Sequence, residues 1–333
     1  MIEPNETIIN GNSDNYQNDT TATIVATMGI CFALLALLKY YLVGGVCKSN
    51  CDMTNKIVII TGANSGIGKA TALDLARRNA RVILACRDVT KGKRAMEEIK
   101  SKTRNGQLIV KSLDLGSFKS IRRFCKEINK EFTQLDVLIN NAGIFFHPFS
   151  KTEDGFESHF GVNHLGHFLL TNLLLDLLKQ SAPSRIVIVS SLVHAFSSID
   201  FNNLNSEKGY NRMTAYNRSK LANVYLANEL RERLQDSGVT VCSLNPGGVN
   251  TMIVRRLFTD WVYRLVWPFL WFLLKSPMQG AQTSIYCAVS KDLDKSHGGY
   301  FSDCIMKPVG KTAQDNGVRK KLWEVSERFV GLN

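Results

Sequence analysis

A short apolar strand that runs into a glycine-rich turn is the feature that most constrains this chain. Lys56–Ile60 is a run of β-branched residues, Thr61–Gly68 contains three glycines spaced G-x-x-x-G-x-G, and a helical pattern follows over Ala70–Arg78. A buried strand, a glycine turn and a helix in this order let the backbone approach a pyrophosphate at the helix N-terminus. The sequence therefore predicts a dinucleotide site at this turn.

Five further apolar runs alternate with helical patterns and indicate the fold class. They lie at Arg81–Arg87, Leu108–Leu115, Leu135–Ile139, Arg185–Ser191 and Val239–Leu244. Strands that alternate with helices predict a parallel sheet with right-handed crossovers. We therefore expect a doubly wound α/β Rossmann fold over residues 50–333. Glu153–Gln180 is expected to be one long helix within it, and Ser276 is expected to cap another that begins at Pro277.

The end of the second predicted strand bears on which dinucleotide is bound. NAD sites keep an acid at this point for the 2′-hydroxyl of the adenosine ribose, whereas an arginine accommodates a 2′-phosphate. Here the strand ends in Cys86-Arg87, with Lys91 and Lys93 close behind, and the third strand leads to Asp114, which can reach the adenine. The pattern favours NADP over NAD, the alternative being that Arg87 is an ordinary solvated cation.

A tyrosine and a lysine at helical spacing are the candidate chemistry. Tyr216 and Lys220 stand one turn apart, so both side chains leave the same helix face. An adjacent ammonium favours a phenolate and lowers the pKa of a tyrosine from its ordinary value of about 10. The same spacing is common on plain helix surfaces, so the surrounding motifs decide between the two interpretations.

Together these residues resemble the short-chain dehydrogenase/reductase family over about residues 54–330. The motifs that support the resemblance are Thr61–Gly68, Asn140–Gly143, Ser191, Tyr216–Lys220 and Pro246-Gly247. A further resemblance is to the membrane-bound retinol dehydrogenase branch of that family. It rests on ACRD at 85–88, VNHLGHF at 162–168, SKLAN at 219–223, QGAQT at 279–283 and GYFSDC at 299–304.

The resemblance implies a catalytic tetrad of Asn163, Ser191, Tyr216 and Lys220. In the reducing direction Tyr216 would donate a proton to the substrate carbonyl oxygen, and Ser191 would hydrogen-bond that oxygen as charge develops on it. Lys220 would lower the pKa of the tyrosine and bind the nicotinamide ribose, while Asn163 would hold a water that links the lysine to solvent. Ser191 is preferred to Ser190 because it stands 25 residues before Tyr216, as in the family pattern.

The resemblance also implies which residues hold the cofactor, NADP(H). They are Thr61, Gly62, Asn64, Ser65, Gly66, Ile67, Gly68, Arg87, Asp114, Asn141, Ala142, Gly143, Tyr216, Lys220, Pro246, Gly247, Val249 and Thr251. No metal is expected, because His159, His164 and His167 have no carboxylate or thiol at ligand spacing.

The N-terminus differs from the rest of the chain. Residues 1–21 are polar and are expected to be a disordered tail, whereas residues 22–46 are apolar over a length that spans a bilayer. A cleaved signal peptide would need a basic start and a short apolar core, and neither is present. The tail has four acids and no base, while Lys48 and Lys56 follow the span, so the tail is expected to be lumenal.

Eight scattered cysteines fit free thiols in a reducing compartment, which also places the catalytic domain in the cytosol. We expect a single-pass protein of the endoplasmic reticulum membrane. The formal charge is +12, but no Lys/Arg run with interleaved aromatics is found, so no nucleic-acid partner is expected.

A segment rich in aromatic residues, 252–275, contains three of the four tryptophans. It is expected to be a lipid-facing lid over the substrate cleft. Its apolar run is too short to span a bilayer and suits a helix lying at the membrane surface. A lipophilic substrate follows, such as a retinoid, a steroid or a fatty aldehyde, with membrane lipid as a partner. The alternative is that the aromatics pack in the core or at a homodimer interface.

Three functions are compatible with these sequence features. The leading hypothesis is an NADP-dependent oxidoreductase acting on a retinoid or similar lipid alcohol and aldehyde. The alternatives are a steroid or other lipid-carbonyl reductase using the same site, and a nucleotide-binding sensor or scaffold without turnover. The presence of all four tetrad residues argues against the last of these.

Overall fold

The computed structural model describes residues 12–250, 260–293 and 297–332. The chain divides after Gly44 into two units, each described by itself below. Residues 1–11 and 251–259, which include part of the predicted tail and of the predicted lid, lie outside the described residues.

The first unit is a helix, α1 (Asn12–Val43). Its segment Val25–Val43 is long and apolar enough to cross a membrane, and none of it is buried. Gly44 follows at φ +73°, a left-handed conformation that ends helices, so the helix stops three residues before the predicted end at residue 46. Helix α1 begins at Asn12, within the segment that the sequence predicts to be a disordered tail.

The second unit is built on one eight-stranded sheet with the strand order β3-β2-β1-β4-β5-β6-β7-β8. Strands β1 to β7 are parallel, and β8 pairs antiparallel with β7. The reversal of strand order between β1 and β4 is the arrangement of a doubly wound fold, which confirms the predicted class. The strands are β1 (Ile57–Thr61), β2 (Arg81–Cys86), β3 (Gln107–Ser112), β4 (Val137–Asn140), β5 (Ser184–Val189), β6 (Val239–Asn245), β7 (Gly298–Ser302) and β8 (Ile305–Met306).

Helices cover both faces of this sheet. In the described residues they are α2 (Gly66–Arg77), α3 (Val89–Lys100), α4 (Phe118–Glu131), α5 (Gly166–Leu173), α6 (Leu175–Gln180), α7 (Arg212–Arg233), α8 (Asp260–Leu273), α9 (Pro277–Val289) and α10 (Asn316–Val330). A π-helical segment, His159–Leu165, leads into α5, and a 3₁₀ turn, Leu192–Phe196, follows β5. Ser276 caps α9 in a capping box with Gln279, as the sequence predicts.

Two buried apolar clusters, one on each face, hold the helices to the sheet. Successive side chains of a strand point to opposite faces. Ile59 of β1 accordingly lies in one cluster with Phe124 of α4 and Leu221 of α7, and Ile60 lies in the other with Ile285 of α9. Because both faces are covered, the strands read as continuous apolar runs, which is why the sequence located them.

The predicted single helix over Glu153–Gln180 is wrong at its start, and it is also interrupted at Leu174 between α5 and α6. Gly155 has φ +88°, and regular helix begins only at His159, as a π-helical segment. The buried Glu157 carboxylate accepts the backbone N–H groups of His159 (2.8 Å) and Phe160 (2.9 Å), so it occupies the first donors of the new helix. This start sets the position of the residues that follow in the π-helical segment.

Candidate active site

The candidate site lies where four neighbouring strands end. Strands β1, β4, β5 and β6 are parallel and adjacent, so their C-terminal ends meet at one edge of the sheet. Ligands of open α/β sheets bind at this edge. The segments that emerge there contain nearly all of the predicted site residues.

The glycine turn after β1 has the backbone that a bound phosphate requires. Gly62 (φ +67°) and Gly66 (φ +55°) are left-handed, and a Cβ on Gly68 would lie 2.6 Å from the Asn141 amide nitrogen. Ser65 is the N-cap residue of α2, but its side chain makes no capping bond. Asn64 and Ile67 of the same turn are half-buried. The N-terminal N–H groups of α2 are therefore left for an anionic group.

Thr61, at the end of β1, joins the glycine turn to the turn after β4. Its Oγ1 accepts the backbone N–H groups of Asn141 and Ala142, each at 2.9 Å, and it lies 2.9 Å from Nε2 of His167. The Asn141 side chain returns a bond to the Thr61 carbonyl at 2.8 Å. The two turns are consequently fixed to each other through a single threonine.

Arg87 lies directly after β2, exposed to solvent, and no acid of the described residues forms an ion pair with it. The neighbouring Asp88 instead accepts a hydrogen bond from the backbone of Lys91 at 3.0 Å and so caps α3. Beneath them the thiol of Cys86 is buried against the glycine turn, which raises its pKa to about 11. The end of β2 thus presents the Arg87 guanidinium to solvent, while the adjacent Asp88 carboxylate is used to cap α3.

Ser191 lies at the Tyr216 phenol and lowers its pKa. Burial has the larger effect and raises the pKa of Tyr216 to about 12. The neighbouring Ser190 is committed elsewhere, because its hydroxyl donates to the Lys220 carbonyl at 2.7 Å. The two serines are adjacent in sequence but have different partners in the structure: Ser191 lies at the Tyr216 phenol, and Ser190 bonds the Lys220 backbone.

That Lys220 lowers the pKa of Tyr216 stays a prediction, because burial is the larger effect on this phenol and raises its pKa. The Lys220 ammonium lies 5.7 Å from the centre of the Tyr216 ring and donates to the Val189 carbonyl at 3.0 Å. Burial also lowers the pKa of Lys220 itself to about 8. Desolvation is the largest influence on the pKa of each group, and the phenol is protonated at neutral pH.

Asn163 lies in the π-helical segment and fixes the chain after β4. Its amide bonds both polar groups of the Ile144 backbone, at 2.8 and 3.1 Å, and donates to the Ser219 hydroxyl at 2.9 Å. A Cβ on Gly143 would lie 3.2 Å from the side-chain oxygen Oδ1 of Asn163 and 3.6 Å from the Lys220 Nζ. A larger residue at position 143 would therefore press on the Asn163 amide.

The remaining predicted cofactor residues lie in three places: at the same sheet edge, beyond β3, and outside the described residues. Pro246 and Gly247 (φ +81°) follow β6 at the same edge, and Val249 is buried beside Lys275. Asp114 lies beyond β3, where one of its carboxylate oxygens accepts the Gly116 N–H at 2.9 Å. Thr251 lies outside the described residues.

The structure adds two residues that the sequence analysis did not select. Asn245, at the end of β6, accepts the backbone N–H groups of Leu192 (3.2 Å) and Gly247 (3.1 Å), so it joins the segment after Ser191 to the Pro-Gly turn. His167 lies between Thr61 and the carbonyl of Asn163. An asparagine directly before Pro-Gly was a visible signal for the first. His167 stands in the VNHLGHF motif, but nothing in the sequence indicated its contact with Thr61.

The backbones of Gly248 to Asn250 and of Lys275 form a neck at the ends of the segment between them. Lys275 N–H donates to the Gly248 carbonyl and Asn250 N–H to the Lys275 carbonyl, each at 2.8 Å. The buried Lys275 side chain forms an ion pair with Asp303. The two ends of the predicted lid are consequently held together.

Within the described residues, no group of three metal-ligating side chains is found. The three histidines that lie close in sequence have separate partners. His159 contacts the Glu157 carboxylate, His164 the Ser326 hydroxyl, and His167 the Thr61 hydroxyl.

Comparison with known proteins gives concordant matches. A family profile described as short chain dehydrogenase matches residues 56–261. Retinol dehydrogenase 11 of Homo sapiens is 51% identical over 296 residues, which cover 89% of this chain and 92% of that protein. Retinol dehydrogenase 14 of Mus musculus is 49% identical over 291 residues, covering 84% of this chain and 87% of that protein.

A solved structure of an uncharacterized protein from Mycobacterium paratuberculosis is also similar. It is 35% identical to this chain and superposes with a TM-score of 0.68, covering 86% of this chain and 98% of that one.

Proposed function

Because this chain belongs to the short-chain dehydrogenase family, we propose that it is a membrane-anchored, NADP(H)-dependent oxidoreductase interconverting retinol and retinal or a similar lipid alcohol and aldehyde. The family resemblance predicted from the motifs is confirmed by the profile match. The observation that carries the proposal is the position of Ser191 at the Tyr216 phenol, at the sheet edge where β1 also runs into the glycine turn. Relatives named retinol dehydrogenase support the substrate class.

The residues present fit a dinucleotide with a 2′-phosphate. Left-handed Gly62 and Gly66 leave room for a pyrophosphate at the uncapped start of α2. Arg87 has no acidic partner among the described residues, and Asp88 is engaged in a helix cap, so a guanidinium rather than a carboxylate faces the ribose position. The bound nicotinamide would supply the hydride for carbonyl reduction and accept it in alcohol oxidation.

The chain's own residues would manage the proton and the developing charge. Tyr216, with a pKa near 12, is protonated and would pass its proton to the carbonyl oxygen during reduction. The Ser191 hydroxyl would donate a hydrogen bond to that oxygen. Lys220 uses one N–H on Val189 and has others to donate to a ribose, while Asn163 would hold a water near the lysine.

The aromatic helix α8 supports a lipophilic substrate. Trp261, Leu265, Phe269 and Leu273 recur every four residues, with exposed fractions of 71%, 70%, 72% and 52%. Residues at this spacing share a helix face, and an exposed apolar face with tryptophan suits a helix lying in a membrane interface. We assign this face to the bilayer surface, from which a lipid substrate would enter.

Membrane anchoring rests on the candidate span Val25–Val43. With an acidic, base-free tail before it and lysines after it, we assign the catalytic domain to the cytosolic side of the endoplasmic reticulum membrane.

A substrate panel on purified membranes tests the function. All-trans-retinal, a fatty aldehyde and a ketosteroid would each be assayed with NADPH and with NADH. We expect the highest kcat/KM with retinal and NADPH. A preference for the steroid would favour the lipid-carbonyl alternative, and NADPH binding without turnover of any substrate would favour a sensor.

A further inference from the structure

The loop after β4 is fixed by buried side chains at two points, three residues apart. Asn163 bonds both the N–H and the carbonyl of Ile144. The His147 N–H donates to Nε2 of His159 at 3.2 Å, and the His147 carbonyl accepts the Tyr210 hydroxyl at 2.6 Å. Four backbone groups of one short loop therefore have side-chain partners, so the two residues between the fixed points have little freedom to move.

His159 is itself oriented by a buried acid that the proposed reaction does not use. Its Nδ1 lies 2.9 Å from the Glu157 carboxylate, and both side chains are fully buried. Because Nε2 accepts the His147 N–H, Nδ1 has the proton and donates it to the carboxylate. An acid and a histidine in the interior thus serve to hold one loop.

Phe146, between the two fixed points, has a strained backbone. Its φ is +52°, in the left-handed region that a bulky residue rarely adopts. Such a conformation persists only where the surroundings over-determine it, and it is concentrated at functional sites. The ring is not buried in compensation: it is 39% exposed, with the Arg212 guanidinium 5.3 Å from its centre.

The fixed loop lies beside the proton donor. The Phe145 ring packs edge-on against the Tyr216 ring at 4.6 Å and contacts the Phe146 ring at 5.9 Å. Strand β5 neighbours β4, so the segment after β5 emerges at the same edge, and its Leu192 and Phe196 are largely exposed. Exposed apolar side chains from two loops therefore lie at the sheet edge that holds the candidate phenol.

We propose that Phe146 is a specificity-determining residue whose fixed ring forms a wall of the substrate site and selects a long, flat hydrocarbon over a short one. A wall that is already ordered adds apolar contact without an ordering cost at binding. Tyr210 and the Glu157–His159 pair are positioning residues that hold this wall. The inference rests on the proposed function and names the part of the substrate that the site reads.

The test is the ratio of kcat/KM for all-trans-retinal to that for hexanal, with NADPH and the full-length protein. Phe146→Gly removes the ring, and glycine adopts the left-handed backbone without steric cost, so its thermal midpoint should not fall. We expect the ratio to fall about tenfold, mainly through the KM for retinal. Tyr210→Phe, which frees the His147 carbonyl, should lower the ratio in the same direction and by less.

Tyr225→Phe is the matched control, because it removes a tyrosine hydroxyl that bonds the Thr312 carbonyl instead. Its ratio should equal that of the wild type. An unchanged ratio in Phe146→Gly, or equal losses on both aldehydes, would overturn the inference. Retinol binding, followed by fluorescence, tests the role of Phe146 separately from turnover. Absent turnover in the wild type would count against the proposed function. An unchanged Kd for retinol in Phe146→Gly would count against Phe146 as a wall of the substrate site.

Discussion

The Thr61 hydroxyl donates a hydrogen bond to Nε2 of His167 across 2.9 Å, deep in the interior. The direction follows from the other ring nitrogen, because Nδ1 lies 3.0 Å from the Asn163 carbonyl and must donate to it. Burial lowers the pKa of His167 to about 4, so the ring is neutral at physiological pH. One imidazole thereby ties the glycine turn to the helix that bears Asn163.

His167→Phe should weaken cofactor binding, because it removes the nitrogen that accepts the Thr61 hydroxyl proton and the ring N–H that donates to the Asn163 carbonyl. Each unpaired buried group costs about 1–3 kcal/mol, and relaxation of the turn to satisfy them should raise the Kd for NADPH about tenfold. His164→Phe is the control, since His164 is equally buried but bonds Ser326 on α10. Fluorescence titration with NADPH measures both, and an equal loss in the two variants would contradict a specific role for His167.

Tyr216→Phe should abolish turnover, because it removes the proposed proton donor and nothing else from the ring. NADPH binding should survive, since the glycine turn and Arg87 are untouched. Steady-state assays with retinal, together with NADPH titration, measure the two properties. Tyr286→Phe, on a half-buried tyrosine of α9, serves as the control and should leave turnover intact. Retained turnover in Tyr216→Phe would remove the proposed mechanism.

Arg87→Ala should raise the KM for NADPH about 10- to 100-fold, the worth of a charge-assisted hydrogen bond to a phosphate, and leave the KM for NADH nearly unchanged. Arg104→Ala removes an exposed arginine from the loop before β3 and should alter neither constant. Initial-rate kinetics with both nucleotides make the comparison. A parallel rise in both KM values would mean that Arg87 does not read the 2′-phosphate.

Lys220→Met should stabilise the protein at neutral pH while it impairs catalysis. The pKa of Lys220 is about 8 in the folded protein against an ordinary 10.5, which corresponds to about 3 kcal/mol of destabilisation. Between these two values only the unfolded chain is protonated, so wild-type stability rises with pH across this window, and below about pH 8 the whole penalty is present.

The loss of the bond to Val189 offsets about 1 kcal/mol of this gain. The advantage of Lys220→Met in thermal midpoint should therefore be largest at pH 7 and shrink toward pH 10. Lys93→Met, at an exposed lysine, should show no such trend. A midpoint difference that is independent of pH would argue against a buried ammonium.

The exposed face of α8 should contact lipid. Variants that keep a single tryptophan would be reconstituted into vesicles whose acyl chains bear bromine, a quencher of indole fluorescence. Emission from Trp261 should be quenched strongly, because a helix in the interface buries its apolar face about 5–10 Å into the boundary of the acyl chains. Emission from Trp323, which is buried in the core, should be quenched little. Equal quenching of the two would contradict the assignment.

The sheet was predictable because its signal is local. Runs such as Val82–Ala85 are apolar throughout, since both faces of a parallel strand are covered, and the Ser276 cap requires only the residues next to it. Strand boundaries differ from the predictions by up to three residues, the largest difference being at the end of β3. The π-helical start at His159 was missed because it depends on Glu157 turning inward to meet the first N–H groups.

The pKa of Tyr216 was not predictable from the Tyr216–Lys220 spacing. Spacing places the two side chains on one face, but desolvation is set by every element packed around them, and here it dominates the pKa of both groups. For the same reason the sequence showed three histidines without showing that each one has a separate partner.

The neck between Gly248 and Lys275 has a consequence for how new enzymes of this kind could be made. Since main-chain bonds and the Lys275–Asp303 ion pair close the two ends, whatever lies between them can be exchanged at fixed attachment points without re-registering β6 or α9. Grafting the corresponding segment of a relative between these points should transfer its choice of lipid while the hydride-transfer machinery stays in place.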